Sequence, residues 1–198
     1  MKDYTHICIV LDASGSMGAI EDDIKGSFRS LIKTQKENEG KTVLDLYQFS
    51  DDCRRLVEHV DLADLKEDLM ANYRCSGCTA LNDAVCTAID TLGMELAAMR
   101  EEDRPQNVVF VIITDGYENA SRKHSAMDVK YRIELQSSKY SWDFQYLGAN
   151  QDAFAVGETM GITKENCVNY DASAPGMVYA CNSINANVQR IRNRRRKC

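Results

Sequence analysis

The sequence predicts an α/β fold: a doubly wound, mostly parallel six-stranded sheet with one antiparallel edge strand and helices on both faces. Three observations support this class. Segments 5–11 and 107–114 are apolar throughout and rich in β-branched residues, which is typical of strands buried on both faces of a parallel sheet. Strand-like and helix-like segments alternate along the 198 residues. One connection, near residue 51, is too short for a crossover helix and therefore predicts a hairpin.

The first half of the chain supplies a helix and this hairpin. Between residues 20 and 32, apolar side chains recur at helical spacing, and Gly40 is a candidate C-cap for the helix. Segments 42–49 and 54–60 are strand-like, and the link between them is so short that they must pair in antiparallel orientation. We expect a short helix or turn at 62–69.

The second half alternates regularly between helices and strands. The strongest helical stripe of the chain runs from Leu81 to Met99. The later predicted elements are a strand at 107–114, a helix at 125–138, a strand at 142–148, a short helix at 151–160, an edge strand at 167–170 and a last amphipathic helix at 177–191. Right-handed crossovers would place the first strand at the centre of the sheet. The loops after the first strand and after strand 107–114 would then meet at a ligand-binding crevice.

Charge is distributed unevenly along the chain. The formal net charge is -6, but residues 190–197 hold five arginines and one lysine, which leaves 18 basic and 30 acidic residues elsewhere. We therefore predict one acidic domain, residues 1–191, followed by a basic tail, residues 192–198. The acidic body argues against duplex DNA as a partner. The tail carries more charge than a helix C-terminus needs. The surplus could bind RNA, an anionic lipid surface or the acidic body of a second copy. We rank the last of these first, and it predicts weak, salt-sensitive self-association.

Nothing in the sequence indicates export or a membrane span. The longest apolar stretches are too short for a transmembrane helix or a secretory leader, so we expect a soluble, cytoplasmic protein. Eight cysteines are too few for a disulfide scaffold. Cys75 and Cys78 form a single CxxC pair, whereas a zinc ribbon needs two. We expect both to be free thiols.

Short oxygen-bearing side chains gather in three loops that the predicted fold brings to one edge of the sheet. Asp12, Ser14 and Ser16 follow the first strand, Thr79 precedes the strongest helix, and Asp115 follows strand 107–114. Two carboxylates and three hydroxyls suit a hard divalent cation, and they disfavour zinc and copper. The sequence therefore predicts a site for Mg²⁺, with Mn²⁺ or Ca²⁺ as alternatives.

These loops resemble a known motif. Asp-x-Ser-x-Ser at 12–16, Gly-Cys-Thr at 77–79 and Thr-Asp-Gly at 114–116 are similar, in this order, to the three parts of the metal-ion-dependent adhesion site of von Willebrand factor type A (vWA) domains. The resemblance covers essentially the whole chain and implies the Rossmann-like vWA fold. It looks closest to small stand-alone bacterial and phage-type proteins, with the stretch at 147–153 as a further similarity.

The resemblance implies a role for each motif residue. Ser14 and Ser16 would be direct ligands, Thr79 a direct or water-mediated one, and Asp12 and Asp115 would bind directly or through water. The ion would keep one open position for an aspartate or glutamate of a partner protein. The general pattern assigns no role to four neighbouring residues: Asn82, Asp83, Glu118 and Asn119. We expect some of these four to make hydrogen bonds that support the ligands.

Two other classes of function stay open. The same ion could serve a Mg²⁺-dependent hydrolase or phosphotransferase as a Lewis acid, or the chain could be a subunit of a chaperone-like complex. An enzyme needs a positioned general base, and no histidine or lysine falls in the three metal loops, which favours a binding module. A serine-hydrolase elbow and a dinucleotide-binding glycine motif are both missing from the sequence.

Two features have more than one interpretation. The loop at 148–152 follows a predicted strand, so it either caps the next helix or forms part of a ligand-facing rim. His6, His59 and His124 are widely separated along the chain. We interpret each of these histidines as an ordinary strand or surface residue.

Overall fold

The computed structural model describes residues 3–66 and 68–195, with the side chain of Arg195 left out. Six strands form one sheet in the spatial order β3-β2-β1-β4-β5-β6. Among the strand pairs in the described residues, only β2–β3 is antiparallel. The strands are β1 Tyr4–Asp12, β2 Lys41–Phe49, β3 Cys53–Asp61, β4 Asn107–Thr114, β5 Asp143–Ala149 and β6 Cys167–Tyr170.

Helices cover both faces of this sheet. The helices are α1 Glu21–Lys36, α2 Leu81–Ala98, α3 Ala126–Tyr140, α4 Ala153–Thr159 and α5 Ala174–Arg195. Side chains of β1 alternate between two cores: Ile7 and Ile9 pack in the core that α1 and α5 cover, and Cys8 and Val10 pack in the core under α2 and α3. Because β1 is buried on both faces and paired on both edges, it is central, and the predicted fold class is confirmed.

The predicted helix end at Gly40 is wrong. Helix α1 ends at Lys36 with Glu37 as its C-cap, and Gly40 lies four residues later at the entrance to β2. Its φ of +91° is in the left-handed region, and a Cβ there would collide with the carbonyl of Asp3. Glycine is therefore required by the turn into the strand rather than by the helix end. The described part of segment 62–69 forms turns and contains no helix.

The end of α5 differs from the predicted basic tail. The helix continues to Arg195, and Arg192 is only 2% exposed. Its guanidinium donates to the Glu39 carbonyl (Nη1–O 2.8 Å) and to the Thr42 hydroxyl (Nη2–Oγ1 2.6 Å), and it pairs with Asp3. Arg192 thus belongs to the packed core of the domain, not to an exposed tail. Residues 196–198 lie outside the described part of the chain.

The described cysteines are all free thiols. Cys8, Cys86 and Cys181 are buried in the cores, Cys75 is half-buried, and Cys78 is exposed. No helix among residues 3–66 and 68–195 is both long and apolar enough to cross a membrane.

Candidate metal centre

Strands β1 and β4 are parallel neighbours, so their carboxyl ends deliver two loops to the same place. Leu11 pairs with Ile113, which sets Asp12 beside Thr114 and Asp115. After Asp12 the chain turns into a short 3-10 helix, Gly15–Ile20, which holds Ser16 in its first turn. The register of two adjacent strands therefore brings together the first and third sequence motifs.

Asp12 is held rigidly at this edge. It is fully buried, its Oδ1 accepts the backbone N–H of Ser14 at 2.7 Å, and its Oδ2 accepts the hydroxyl of Thr114 at 2.6 Å. The phenol of Tyr73 donates to the Asp12 carbonyl at 2.5 Å. Burial raises the pKa of the Asp12 carboxyl and the nearby negative charge of Asp115 raises it further, although hydrogen bonds from Thr114 and Ser14 oppose both effects.

Hydroxyl groups bridge the two aspartates. Ser16 donates from Oγ to Asp115 Oδ1 at 2.7 Å, and the hydroxyls of Ser14 and Ser16 lie 3.1 Å apart. Together with the Ser14 N–H on Asp12, these contacts link four of the five predicted ligands in one hydrogen-bonded chain. Ser14 and Asp115 are buried, whereas Ser16 is exposed, so the cluster opens to solvent on the Ser16 side.

Thr79 reaches the cluster from the loop that precedes α2. A Cβ built on Gly116, next to Asp115, would lie 3.6 Å from Thr79 Oγ1, so the threonine hydroxyl faces the third loop. The loop of Thr79 is tied to the first loop by two backbone bonds, from the Gly15 N–H to the Gly77 carbonyl (3.0 Å) and from the Ser76 N–H to the Ala13 carbonyl (2.7 Å). All five predicted residues therefore lie at one edge of the sheet.

Gly77 has a conformational reason to stand in this loop. Its φ is +79°, and a Cβ at this position would collide with the carboxylate of Asp51. A residue with a side chain would be strained by both effects. The glycine of the second motif thus allows the close approach of its loop to the β2–β3 turn.

Residues that follow the second and third motifs make hydrogen bonds that hold these loops in place. Asn119 holds Thr79 from both sides: its Oδ1 accepts the Thr79 N–H at 2.9 Å, and its own N–H donates to the Thr79 carbonyl at 3.1 Å. Glu118 accepts the backbone N–H of Asn82 at 2.8 Å. Asp83 accepts three consecutive backbone N–H groups at 122–124. The predicted supporting contacts are therefore present, and Asn119 makes the one that touches a predicted ligand.

The loop at 148–152 both caps the next helix and contacts the candidate metal centre. Asp152 is the N-cap of α4, and its carboxylate accepts the N–H groups of Phe154 and Ala155. The neighbouring Gln151 donates from Nε2 to the Gly116 carbonyl at 3.3 Å, so it contacts the loop that carries Asp115.

The chemistry of the cluster fits a hard divalent ion. All five side chains offer oxygen, and the two carboxylates are near enough for the charge of one to raise the pKa of the other. Bringing two like charges together is unfavourable unless a cation compensates them. Asp12, Ser14, Ser16, Thr79 and Asp115 are the residues that would hold such an ion.

Sequence reasoning missed one cluster. His6 and His59, interpreted above as unrelated histidines, have ring centroids only 4.6 Å apart, and Asp45 lies on the strand between theirs. The strands could be predicted, but the residues that face one another across them depend on a bulged register between β2 and β3 that the hydrophobic pattern does not reveal.

A central parallel sheet with an oxygen-only cluster at its carboxyl edge defines an α/β domain suited to binding a divalent cation. Residues 6–190 match the profile of the von Willebrand factor type A domain family. The chain belongs to this family, as the three motifs indicated. Among curated protein sequences, none is significantly similar to the chain.

Solved structures share the fold at low sequence identity. Proximal thread matrix protein 1 of the mussel byssus matches with a TM-score of 0.68 and 14% identity over 91% of this chain and 46% of that one. The PilB minor pilin of Streptococcus sanguinis matches with a TM-score of 0.66 and 12% identity over 96% and 62%. The chain thus spans less than two thirds of either protein.

Two further structures extend this comparison. The vWF domain of the type V pili tip protein Mfa5 from Porphyromonas gingivalis matches with a TM-score of 0.62 and 9% identity, over 94% of this chain and 97% of that one. The mussel protein has also been solved with zinc in its metal-ion-dependent adhesion site, with a TM-score of 0.59 and 16% identity over 91% and 46%.

Substituting Asn119 by alanine should weaken the binding of a divalent cation while the fold is retained. The change removes the side-chain acceptor that holds the Thr79 N–H, so Thr79 would lose its orientation. Loss of such a supporting contact typically costs about 10–100-fold in metal affinity. Isothermal titration calorimetry measures the effect, with Asn193→Ala on the exposed side of α5 as the control. Equal affinities for the two variants would contradict the assigned role of Asn119.

Proposed function

We propose that the chain is a metal-dependent protein-binding module. Mg²⁺, or Mn²⁺ or Ca²⁺ in its place, would be held by Asp12, Ser14, Ser16, Thr79 and Asp115, and an acidic side chain of a partner protein would complete the coordination. The observation that carries this proposal is the hydrogen-bonded chain from Asp12 through Ser14 and Ser16 to Asp115, which is buried at its ends and open at Ser16.

The donor set supports a binding role for the ion. No more than two of the five side chains are carboxylates, so a bound Mg²⁺ would keep electrophilic character and an open position for an anionic oxygen. The exposure of Ser16 leaves that position accessible to a large partner. vWA domains are metal-dependent adhesion and protein-interaction modules, and the mussel relative with zinc in its site shows that a divalent ion is accommodated there in this fold.

The enzymatic alternative has less support. Hydrolysis or phosphoryl transfer at this ion would need a group that accepts a proton next to the metal. Among the described hydrogen bonds of the five predicted ligands, none involves a histidine or a lysine. A role as a subunit of a chaperone-like complex would use the same binding chemistry and differs only in the partner.

Affinity capture tests the binding module directly. The tagged full chain is incubated with cell extract in Mg²⁺ or in EDTA, beside the Ser14→Ala variant. We expect a partner to be retained in Mg²⁺, released by EDTA and absent from the variant, because the ion links the two proteins. Retention that is insensitive to both EDTA and Ser14→Ala would contradict the proposal. Mg²⁺-dependent phosphatase activity that is lost in Asp12→Ala would instead support the enzyme.

We further propose that the basic C-terminal residues mediate weak, salt-sensitive self-association. Since Arg192 is buried, the test removes only residues 196–198 and leaves the packed part of α5 in place. Light scattering should show association of the full chain at low salt and none after truncation. The effect should fade at physiological salt, where exposed charges are screened beyond about 8–10 Å. Monomers in both proteins at low salt would exclude this role.

A further inference from the structure

A second cluster of metal-binding side chains lies in the other half of the sheet. His6 on β1, Asp45 on β2 and His59 on β3 come from three adjacent strands, and His6 and Asp45 are fully buried. His6 precedes Asp12 by six residues on the same extended strand, so the cluster is about 20 Å from the carboxyl edge. The side chain of His59 is 31% exposed, which leaves a path from solvent to the cluster.

The three side chains are close enough to share one ion. The distance from His6 Nε2 to Asp45 Oδ2 is 2.8 Å, and the distance from His59 Nδ1 to the same oxygen is 3.5 Å. One donor atom from each residue lies within 4.8 Å of the others. His6 Nδ1 is buried and has no hydrogen-bond partner among the described residues, so only one of the two nitrogens of this imidazole is hydrogen-bonded.

The backbone is distorted to place His59 here. The β2–β3 register shifts between Leu44 and Leu46, and His59 in the resulting bulge has a φ of +49°. This left-handed conformation is uncommon for a residue with a side chain. It allows the His59 N–H to donate to Asp45 Oδ1 at 2.7 Å and sets the two imidazole rings edge to face. Bulges and strained residues of this kind are concentrated at functional sites.

The negative charges around the cluster outnumber the positive ones, so a cation can be accommodated. Arg55 donates from Nη2 to Asp45 Oδ1 at 3.0 Å and from both terminal nitrogens to Glu95, so one guanidinium compensates two carboxylates. Glu58 approaches the same guanidinium from the solvent side at 3.5 Å.

We propose that His6, Asp45 and His59 form a second metal site, for Zn²⁺ or a similar transition-metal dication. Two imidazoles and one carboxylate are a donor set typical of such ions and not of Mg²⁺. Binding would break two contacts, the 2.8 Å hydrogen bond from His6 Nε2 to Asp45 Oδ2 and the 3.0 Å contact between Arg55 Nη2 and His59 Nδ1, and the proton of His6 would move to Nδ1. Arg55 would keep its bonds to Glu95 and Asp45 and so orient the ligating carboxylate from behind.

The second metal site can be tested in a variant whose carboxyl-edge site has been disabled. In a background carrying Asp12→Ala and Ser14→Ala, calorimetry should show one equivalent of Zn²⁺, and Co²⁺ should give visible absorption without a thiolate charge-transfer band. Adding His59→Asn should weaken Zn²⁺ binding more than about tenfold. Asparagine is chosen because it tolerates a positive φ, so the bulge is expected to survive. His124→Asn is the matched control and should leave binding unchanged.

Three results would overturn the second site. The first is no Zn²⁺ binding in the parent background. The second is equal affinity in the His59→Asn and His124→Asn variants. The third is a cobalt–thiolate band that persists in both variants, which would assign the metal to cysteines such as Cys75 and Cys78. Circular dichroism and melting without metal establish that each variant is folded. Because the carboxyl-edge site is disabled throughout, the outcome is independent of the proposed binding module.

Discussion

Mg²⁺ or Mn²⁺ should raise the melting temperature of the wild-type chain, and Asp12→Ala or Ser14→Ala should abolish this increase. An ion that binds only the folded state stabilises it by RT ln(1 + [L]/Kd), which is about 2.7 kcal/mol at a hundredfold excess over Kd. Asp12 and Ser14 are both buried in the cluster. Asp12→Ala removes the carboxylate that accepts the Ser14 N–H, and Ser14→Ala removes the hydroxyl that lies 3.1 Å from Ser16 Oγ, so each substitution removes part of the site directly. Differential scanning fluorimetry with and without the metal measures the shift.

A control variant and the pH dependence of the metal-induced shift in melting temperature test this prediction further. Ser138→Ala, on the exposed end of α3, should show the full metal-induced shift. Because burial raises the pKa of Asp12, protonation should compete with the ion, and the shift should shrink as the pH falls toward that raised pKa. Stability of the metal-free protein should change in the opposite sense, since a carboxyl with a raised folded-state pKa destabilises the fold when it is ionised. A metal-induced shift that survives both Asp12→Ala and Ser14→Ala would place the ion elsewhere.

Arg192→Leu should destabilise the fold substantially. The substitution removes three polar contacts near the C-terminal end of α5, and it leaves the hydroxyl of the buried Thr42 and the carbonyl of the exposed Glu39 without this donor. Deleting one partner of such a buried network costs about 2–4 kcal/mol of unfolding free energy. Asp3, the acidic partner, keeps some contact with solvent, which places the expected loss below that of a fully buried ion pair. Urea denaturation measures the change.

Arg194 provides the matched comparison on the same helix. Its guanidinium pairs with Asp143, but its side chain is 52% exposed. Exposed ion pairs contribute little, so Arg194→Leu should cost less than about 1 kcal/mol. Similar losses for the two variants would contradict the distinction between a buried anchor and a surface arginine. The same argument explains why truncation of the basic segment should spare Arg192.

The fold and the carboxyl-edge cluster were predictable because both are expressed as local patterns. Apolar runs such as 107–114 identify strands buried on both faces, and the helical stripe at 81–98 identifies a covering helix. Once the strands are parallel, residues directly after their ends must share an edge. Asp12 and Asp115 could therefore be paired from sequence although 103 positions separate them.

The supporting contacts at this edge were only partly predictable. Asn119 and Asp83 could be singled out as polar residues next to the motifs. Which of them would hold Thr79 and which would tie down the loop at 122–124 follows from loop conformation alone. Turn and cap residues have the same composition in both roles, so residue type does not separate them.

By itself, the sequence determined the α/β class, the central strand and the family, and it predicted that five oxygen-bearing side chains share one edge of the sheet, because each of these depends on periodicity or on motif position. Only the tertiary structure showed that Arg192 is buried and that His6, Asp45 and His59 meet. Arg192 reaches Thr42 across 150 positions, and the histidines meet because a bulge in an edge strand alters the register. Long-range side-chain contacts and register shifts depend on how the elements pack against one another, and the hydrophobic pattern of a single segment does not record that packing.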